Sequence, residues 1–246
     1  MDINDGKITT LIADLDRHDK PIIRAAVDAL IPLATESFQL REILDRRLVE
    51  TGHKNYWPVA YILGHLRQPS GACITKLLDA LDHREPDIRW AMALLLVRIA
   101  KDESAVVSLL IELCATGTAN QKRMALYCVR DLALSDSVSL AALLTALRDA
   151  DPTVRVAAAI CLKPRPDLDD SGKKLLLEVY ANDADPKVRH AVAITLANSG
   201  SPSAEFLRAL KKSSESEDSQ TRKAAINALD LLEKRRSASS GSRSDR

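Results

Sequence analysis

An all-α fold, a right-handed α-α superhelix of about seven two-helix repeats, is predicted by three observations: a period, an apolar helical stripe and a recurring helix-start motif. The period comes first. Taking as anchor the arginine of Asp151-Pro152-Thr153-Val154-Arg155 and of Asp185-Pro186-Lys187-Val188-Arg189, the apolar positions that follow align five further anchors. These are Ile23, Tyr56, Arg89, Lys122 and Arg222, and successive anchors lie 33, 33, 33, 33, 34 and 33 residues apart. Such a period marks a solenoid, in which each supersecondary unit buries its apolar face only against its neighbours.

The second observation is the stripe. Counted from the anchor, positions −1, +2, +3, +6, +7 and +10 are mostly apolar, as in Ile88, Ala91, Met92, Leu95, Leu96 and Ile99. At roughly 100° per residue these fall on one face, so the segment is an amphipathic helix, helix B of the repeat. The third observation is the start signal. Pro86, Pro152 and Pro186 stand three residues before their anchors, where the first turn tolerates a residue without an N–H. Asp151, Asp185 and Asp218 precede that position as N-caps, with Glu85 a poorer substitute. Upstream of each cap a second helical pattern, helix A, is exemplified by 74–81 and 140–147.

The second repeat breaks this scheme. Pro58 stands at +2 instead of −3, after Gly52-His53-Lys54-Asn55-Tyr56-Trp57, so its helix B is expected to start several residues late. The fourth repeat, Thr118-Ala119-Asn120-Gln121-Lys122, also departs from the motif.

Asp-Pro-x-Val-Arg-x-Ala-Ala, clearest at 151–158 and 185–192, resembles the short HEAT-like repeats of the phycobilin-lyase type. The likeness spans residues 7 to about 235. Ankyrin repeats share the period, but no Thr-Pro-Leu-His-type start or Gly-rich turn is present. The resemblance implies a HEAT-like solenoid and leaves function open, because this repeat serves lyases, scaffolds and regulators. It also implies a structural role for the motif: Asp caps helix B, and the anchor Arg donates to carbonyls or to the Asp of an adjoining turn. One solenoid over 1–235 is expected, followed at 236–246 by a disordered Ser/Arg-rich tail too poor in apolar residues to order. Arg235-Arg236-Ser237-Ala238-Ser239 in that tail has the look of a basophilic kinase site.

Composition narrows the functions. Lys and Arg number 35 against 34 Asp and Glu, so no global field points to nucleic acid or membrane. The acidic start lacks an apolar core for a secretory signal, and no apolar run nears the ~18 residues of a membrane span. A cytoplasmic location and a monomer are the default expectations. Cys128 and Cys161 occupy the buried +6 position, and no two of the four cysteines have C-x-x-C spacing, which reads as core rather than metal or redox chemistry. No phosphate-binding Gly loop exists, and none of the five histidines is followed by Glu. Deoxyhypusine hydroxylase, built of similar repeats, holds its metals through such His-Glu pairs. No nucleophile with a positioned base is evident. The chain is therefore expected to be neither an enzyme nor a holder of metal or cofactor.

In HEAT-like solenoids the B helices line the concave side, and the stripe opposite the apolar face comprises +1, +4, +5 and +8. Both tryptophans, Trp57 and Trp90, stand at +1 of adjacent repeats, and Tyr61, Leu94 and Tyr127 stand at +5. In a chain with 3% aromatics, this clustering predicts an exposed partner-binding patch over repeats 2–4. Trp57, Tyr61, Trp90, Leu94 and Tyr127 are the anchors, edged by Arg24, Arg123 and Arg130, and the partner is another protein with an acidic or apolar segment. The structural alternative is that Trp57 and Trp90 pack on each other. Nucleic-acid binding through Arg24, Arg123, Arg130, Lys163, His190 and Lys223 is weakened by the interrupting Asp28 and Asp230. Tetrapyrrole or cofactor handling rests on the resemblance to phycobilin lyases alone.

Overall fold

The computed structural model describes residues 3–50, 55–163, 165, 168–198 and 202–241. The Gly52-His53-Lys54 stretch and the last residues of the expected tail, 242–246, lie outside them. Among the described residues the fold is all-α, with fourteen α-helices, one 3₁₀ turn and no strand. They form two compact units, 1–110 and 111–246, the division falling within α7.

Each repeat is a pair, helix A then helix B. In the first unit the pairs are α1 (Ile3–Asp14) with α2 (Lys20–Glu36), and α3 (Phe38–Val49) with α4 (Trp57–Gly64). Next comes α5 (Gly71–Asp79), extended by the 3₁₀ turn Ala80–Asp82, with α6 (Pro86–Ala100). Helix α7 (Ser104–Thr116) precedes α8 (Ala119–Asp131). The second unit continues with α9 (Ser137–Ala146) and α10 (Pro152–Leu162), and α11 (Asp170–Asn182) and α12 (Pro186–Asn198). It closes with α13 (Ala204–Ser214) and α14 (Ser219–Gly241), the last helix running into the stretch where composition predicts a tail.

The motif fixes where helix B begins. Helices α2, α6, α8, α10, α12 and α14 all start three residues before their anchors. Asp151, Asp185 and Asp218 cap them, accepting from the backbone N–H of Thr153 at 2.7 Å, Lys187 at 2.7 Å and Thr221 at 2.9 Å. Glu85 makes no such bond. In the degenerate fourth repeat, Thr118 and Gln121 substitute a reciprocal capping box. The exception is α4, which starts one residue after its anchor, because Pro58 is accommodated only in a first turn.

The anchor arginine ties down the turn that precedes its own helix. Arg155 Nη1 donates to the carbonyls of Asp149 (2.8 Å) and Ala150 (3.0 Å), and Arg189 to those of Asp183 (2.7 Å) and Ala184 (3.0 Å). Arg89 and Arg222 repeat the geometry on His83 and Arg84, and on Ser216 and Glu217. The same side chains reach the next repeat. Arg155 forks onto the Asp183 carboxylate at 2.7 and 2.9 Å, and Arg189 Nη2 donates to the Thr221 hydroxyl at 2.7 Å. Lys122, the non-arginine anchor of the fourth repeat, bonds Asp149 at 2.8 Å.

Neighbouring B helices approach closely. Position +4 is buried: Ala60, Ala93, Leu126, Ala159 and Ala193 are at most 3% exposed, and Ile226 of the last repeat, at 43%, is the exception. This corrects the expectation that +4 faces outward. Within each unit the next B helix closes over this position, over the alanines Ala60, Ala159 and Ala193 and over Leu126 alike, so the buried arc is wider than the apolar stripe. Position +6 completes the seam. Thr195 Oγ1 donates to the Ala159 carbonyl at 2.7 Å, and Cys161 Sγ to the Leu126 carbonyl at 3.4 Å. All four cysteines are buried and unbridged, and burial pushes the thiols of Cys73, Cys114 and Cys161 up to about 12. At the C-terminus of α4, a Cβ on Gly64 would meet Leu95 Cδ2 at 2.6 Å, while Arg98 Nη2 donates to the Gly64 carbonyl at 2.6 Å.

Two predictions follow from the inter-repeat pair. Arg155→Ala leaves Asp183, whose side chain is 7% exposed, without its counter-ion. Urea unfolding should show a loss of about 2–4 kcal/mol, with Arg155→Lys intermediate because the fork is lost while the charge is kept. The second concerns pH. Burial alone would raise the Asp183 pKa, but the Arg155 fork and the Asp185 N–H outweigh it and hold the carboxyl below its usual value. Asp149 is likewise held down, against burial, by Lys122 and the Asp151 N–H. A depressed folded pKa means that the stabilisation is complete above the ordinary carboxylate range, about pH 4, and drains away as pH falls through the folded values. Thermal unfolding scanned downward from neutral pH should therefore show an acid loss of stability that is shallower in Asp183→Asn.

Candidate functional site

The outward faces of the B helices form a groove in each unit. In the first unit α2, α4 and α6 enclose a small concavity of about 230 Å³, walled by Arg24, Trp57, Tyr61 and Ile88 among others. Trp57 and Tyr61 are half-buried, one turn apart on α4. The late start of α4 places Trp57 in its first turn. Tyr56, just outside, faces away toward α5, where Lys76 Nζ lies 5.1 Å from its ring centre. Tyr61 packs on His65, with ring centres 4.4 Å apart. On the neighbouring α6, Trp90 and Leu94 stand one turn apart and are 42% and 63% exposed.

Charges in this groove are matched internally. Arg24 Nη2 lies 3.1 Å from Asp87 Oδ2, and Lys20 pairs with both Asp87 and Glu85. The hydrogen bonds that Lys20 donates to Glu85 and then to Asp87 raise its pKa, and Lys20 in turn lowers that of Asp87. Asp28 adds another carboxylate to the lining. Arg24, expected at the edge of the patch, is thus engaged with Asp87 of its own chain.

The other expected site residues, Arg123, Tyr127 and Arg130, lie on α8 in the second unit and are half-buried. Arg130 pairs with Asp131 at 2.7 Å, and its guanidinium carbon lies 5.1 Å from the Tyr127 ring centre. Burial raises the Tyr127 pKa. The aromatic set is therefore described as two groups: Trp57, Tyr61, Trp90 and Leu94 in one unit, and Arg123, Tyr127 and Arg130 in the other.

A larger concavity, of about 630 Å³, lies on α10, α12 and α14 of the second unit. Its floor is aliphatic: Val156, Ile160, Ala191 and Ile194, with Ala224 from α14. Lys163, Lys187, His190 and Lys223 also line it. Val156, His190 and Lys223 stand at +1 of their repeats, and Ile160 and Ile194 at +5. The sequence signal of this groove is aliphatic +5 residues beside basic +1 residues, not aromatics. Among the described residues, no group of three or more His, Cys, Asp or Glu could hold a metal ion, and no helix is long and apolar enough to cross a membrane.

Comparison with known proteins agrees with this architecture. Residues 174–240 match the family model described as HEAT repeats. Among solved structures, YibA of Escherichia coli is similar at 14% identity, covering 95% of this chain and 97% of that one, with a TM-score of 0.53. A designed armadillo repeat protein in complex with the peptide (KR)4 shares 17% identity over 92% of this chain and 99% of its own, with a TM-score of 0.46. The complex of CpcE and CpcF of phycocyanin lyase from Nostoc shares 18% over 92% and 94%, with a TM-score of 0.37. No curated protein matches the sequence. The fold defines an all-α repeat protein of the armadillo/HEAT-like class. Within it, residues 174–240 match HEAT repeats.

Proposed function

We propose that the protein is a non-enzymatic interaction scaffold that holds a segment of another protein against the outward faces of α4 and α6. The observation that carries this reading is the exposure of Trp90 and Leu94, one turn apart on α6, whose residues Ile88 and Ala91 also wall the groove of Trp57 and Tyr61. Large apolar side chains held in water on a rigid helix cost free energy unless a partner covers them. Trp and Tyr are also the residue types through which interfaces concentrate binding energy. Because Lys20 and Arg24 already have carboxylates, the partner of this face is recognised by apolar side chains rather than by charge.

Trp90→Ala/Leu94→Ala tests this reading. Both residues are exposed, so the double variant should keep its helicity and unfold within about 0.5 kcal/mol of wild type. Proteins captured from native lysate by wild type should be lost by the variant, with affinity for a captured partner falling at least about tenfold. Equal retention of every captured protein would remove the α4–α6 face as a binding site.

A further inference from the structure

The two grooves differ in chemistry, and the second asks for a different ligand. In the α10–α12–α14 groove Lys163, Lys187 and Lys223 are exposed, and none forms an ion pair among the described residues. His190 is half-buried beside them. No carboxylate lines the concavity. Of the acids that precede Lys187 and Lys223, Asp185 caps α12, and Asp218 caps α14 and accepts from the Thr221 hydroxyl. Asp230, the acidic residue of the outward stripe on α14, does not contribute to the lining. Between these cations lies a floor of Val156, Ile160 and Ile194, with Ile160 38% exposed.

From this charge complementarity we propose that the groove is a second docking site, taking an acidic peptide segment that carries aliphatic side chains. Carboxylates of the segment would meet Lys163, Lys187 and Lys223, and its Leu, Ile or Val side chains would cover Ile160 and Ile194. Gln220 and Asn227, also in the lining, present amides that both donate and accept, as a peptide backbone requires. A nucleic acid fits less well. No aromatic side chain lines this groove to stack on bases, and an aliphatic floor offers phosphates nothing. The site is independent of the α4–α6 face, and the two can fail separately.

The test is selection of phage-displayed random peptides on the full chain, followed by fluorescence anisotropy with the selected peptides. Wild type should enrich peptides that intersperse Asp or Glu with Leu, Ile or Val, and their binding should weaken as salt is raised. The charge-reversed Lys163→Glu/Lys187→Glu/Lys223→Glu variant changes only exposed side chains, and circular dichroism checks its fold. It should bind these peptides at least about tenfold more weakly, through lost attraction and added repulsion. Ile160→Asp should weaken them as well, while Trp90→Ala/Leu94→Ala should leave them unchanged. Three results would overturn the proposal: enrichment of neutral or basic peptides, no enrichment at all, or acidic peptides that bind the reversed variant as tightly as wild type. Tighter binding of a random single-stranded oligonucleotide than of any selected peptide, lost in the same variant, would reassign the groove to nucleic acid.

Discussion

A guanidinium group folded back on the turn before its own helix is the contact on which four of the seven repeats depend. Every helix pair leaves carbonyls at the end of helix A and in the turn that cannot find partners within the helix. The anchor arginine answers two of them from one nitrogen, in the same geometry in four repeats. Its remaining nitrogens are then free to point along the stack. In Arg155 they grip Asp183, whose other bond, from the N–H of Asp185, shapes the next turn. One side chain thereby fixes the angle between the helices of its own repeat and the offset to the following one. Charge-assisted bonds of this kind are roughly twice as strong as neutral ones, and a planar fork specifies direction as well as distance.

With the turns held, the B helices can be brought close enough for small residues to matter. The +4 residue, Ala159 in one case and Leu126 in the other, turns its backbone carbonyl to the following helix, and a hydroxyl or thiol at +6 of that helix donates to it. Thr195 and Cys161 occupy equivalent positions and perform the same act, so cysteine here is a small donor that suits a tight seam. Burial holds the Cys161 thiol protonated, as a donor. Closing the seam at +4 and +6 leaves +1 and +5 as the outward positions, and those residues decide what each groove presents.

The helix pairs, their starting points and the late start of α4 were legible in the sequence because they follow from local rules. A proline confined to the first turn and an aspartate at a cap act within a few residues of themselves. The burial of +4 was not legible from a helical wheel, since it depends on how closely the neighbouring helix approaches and not on the residue's own polarity. The pairing of Arg24 was hidden for a related reason. Its partner, Asp87, is distant in the sequence and meets it only when α2 and α6 flank the same groove. The folded groove is a closed electrostatic neighbourhood.

That neighbourhood separates the two faces. Lys20 and Arg24 face Glu85 and Asp87, so an incoming charge on the first groove would have to displace an existing pair, and exposed pairs exchange for little net gain. In the proposed binding role, selection there would fall to shape and apolar area, which Trp57, Tyr61, Trp90 and Leu94 supply. Among the described residues the lysines of the second groove have no ion-pair partner to give up, so an acidic ligand would gain attraction without first breaking a bond. The aliphatic floor supplies burial but little directional preference, and the rim supplies the sign of the charge. A single repeat motif thus builds two surfaces with different selection rules, because the scaffold consumes its arginines and aspartates in the turns and leaves +1 and +5 free to vary.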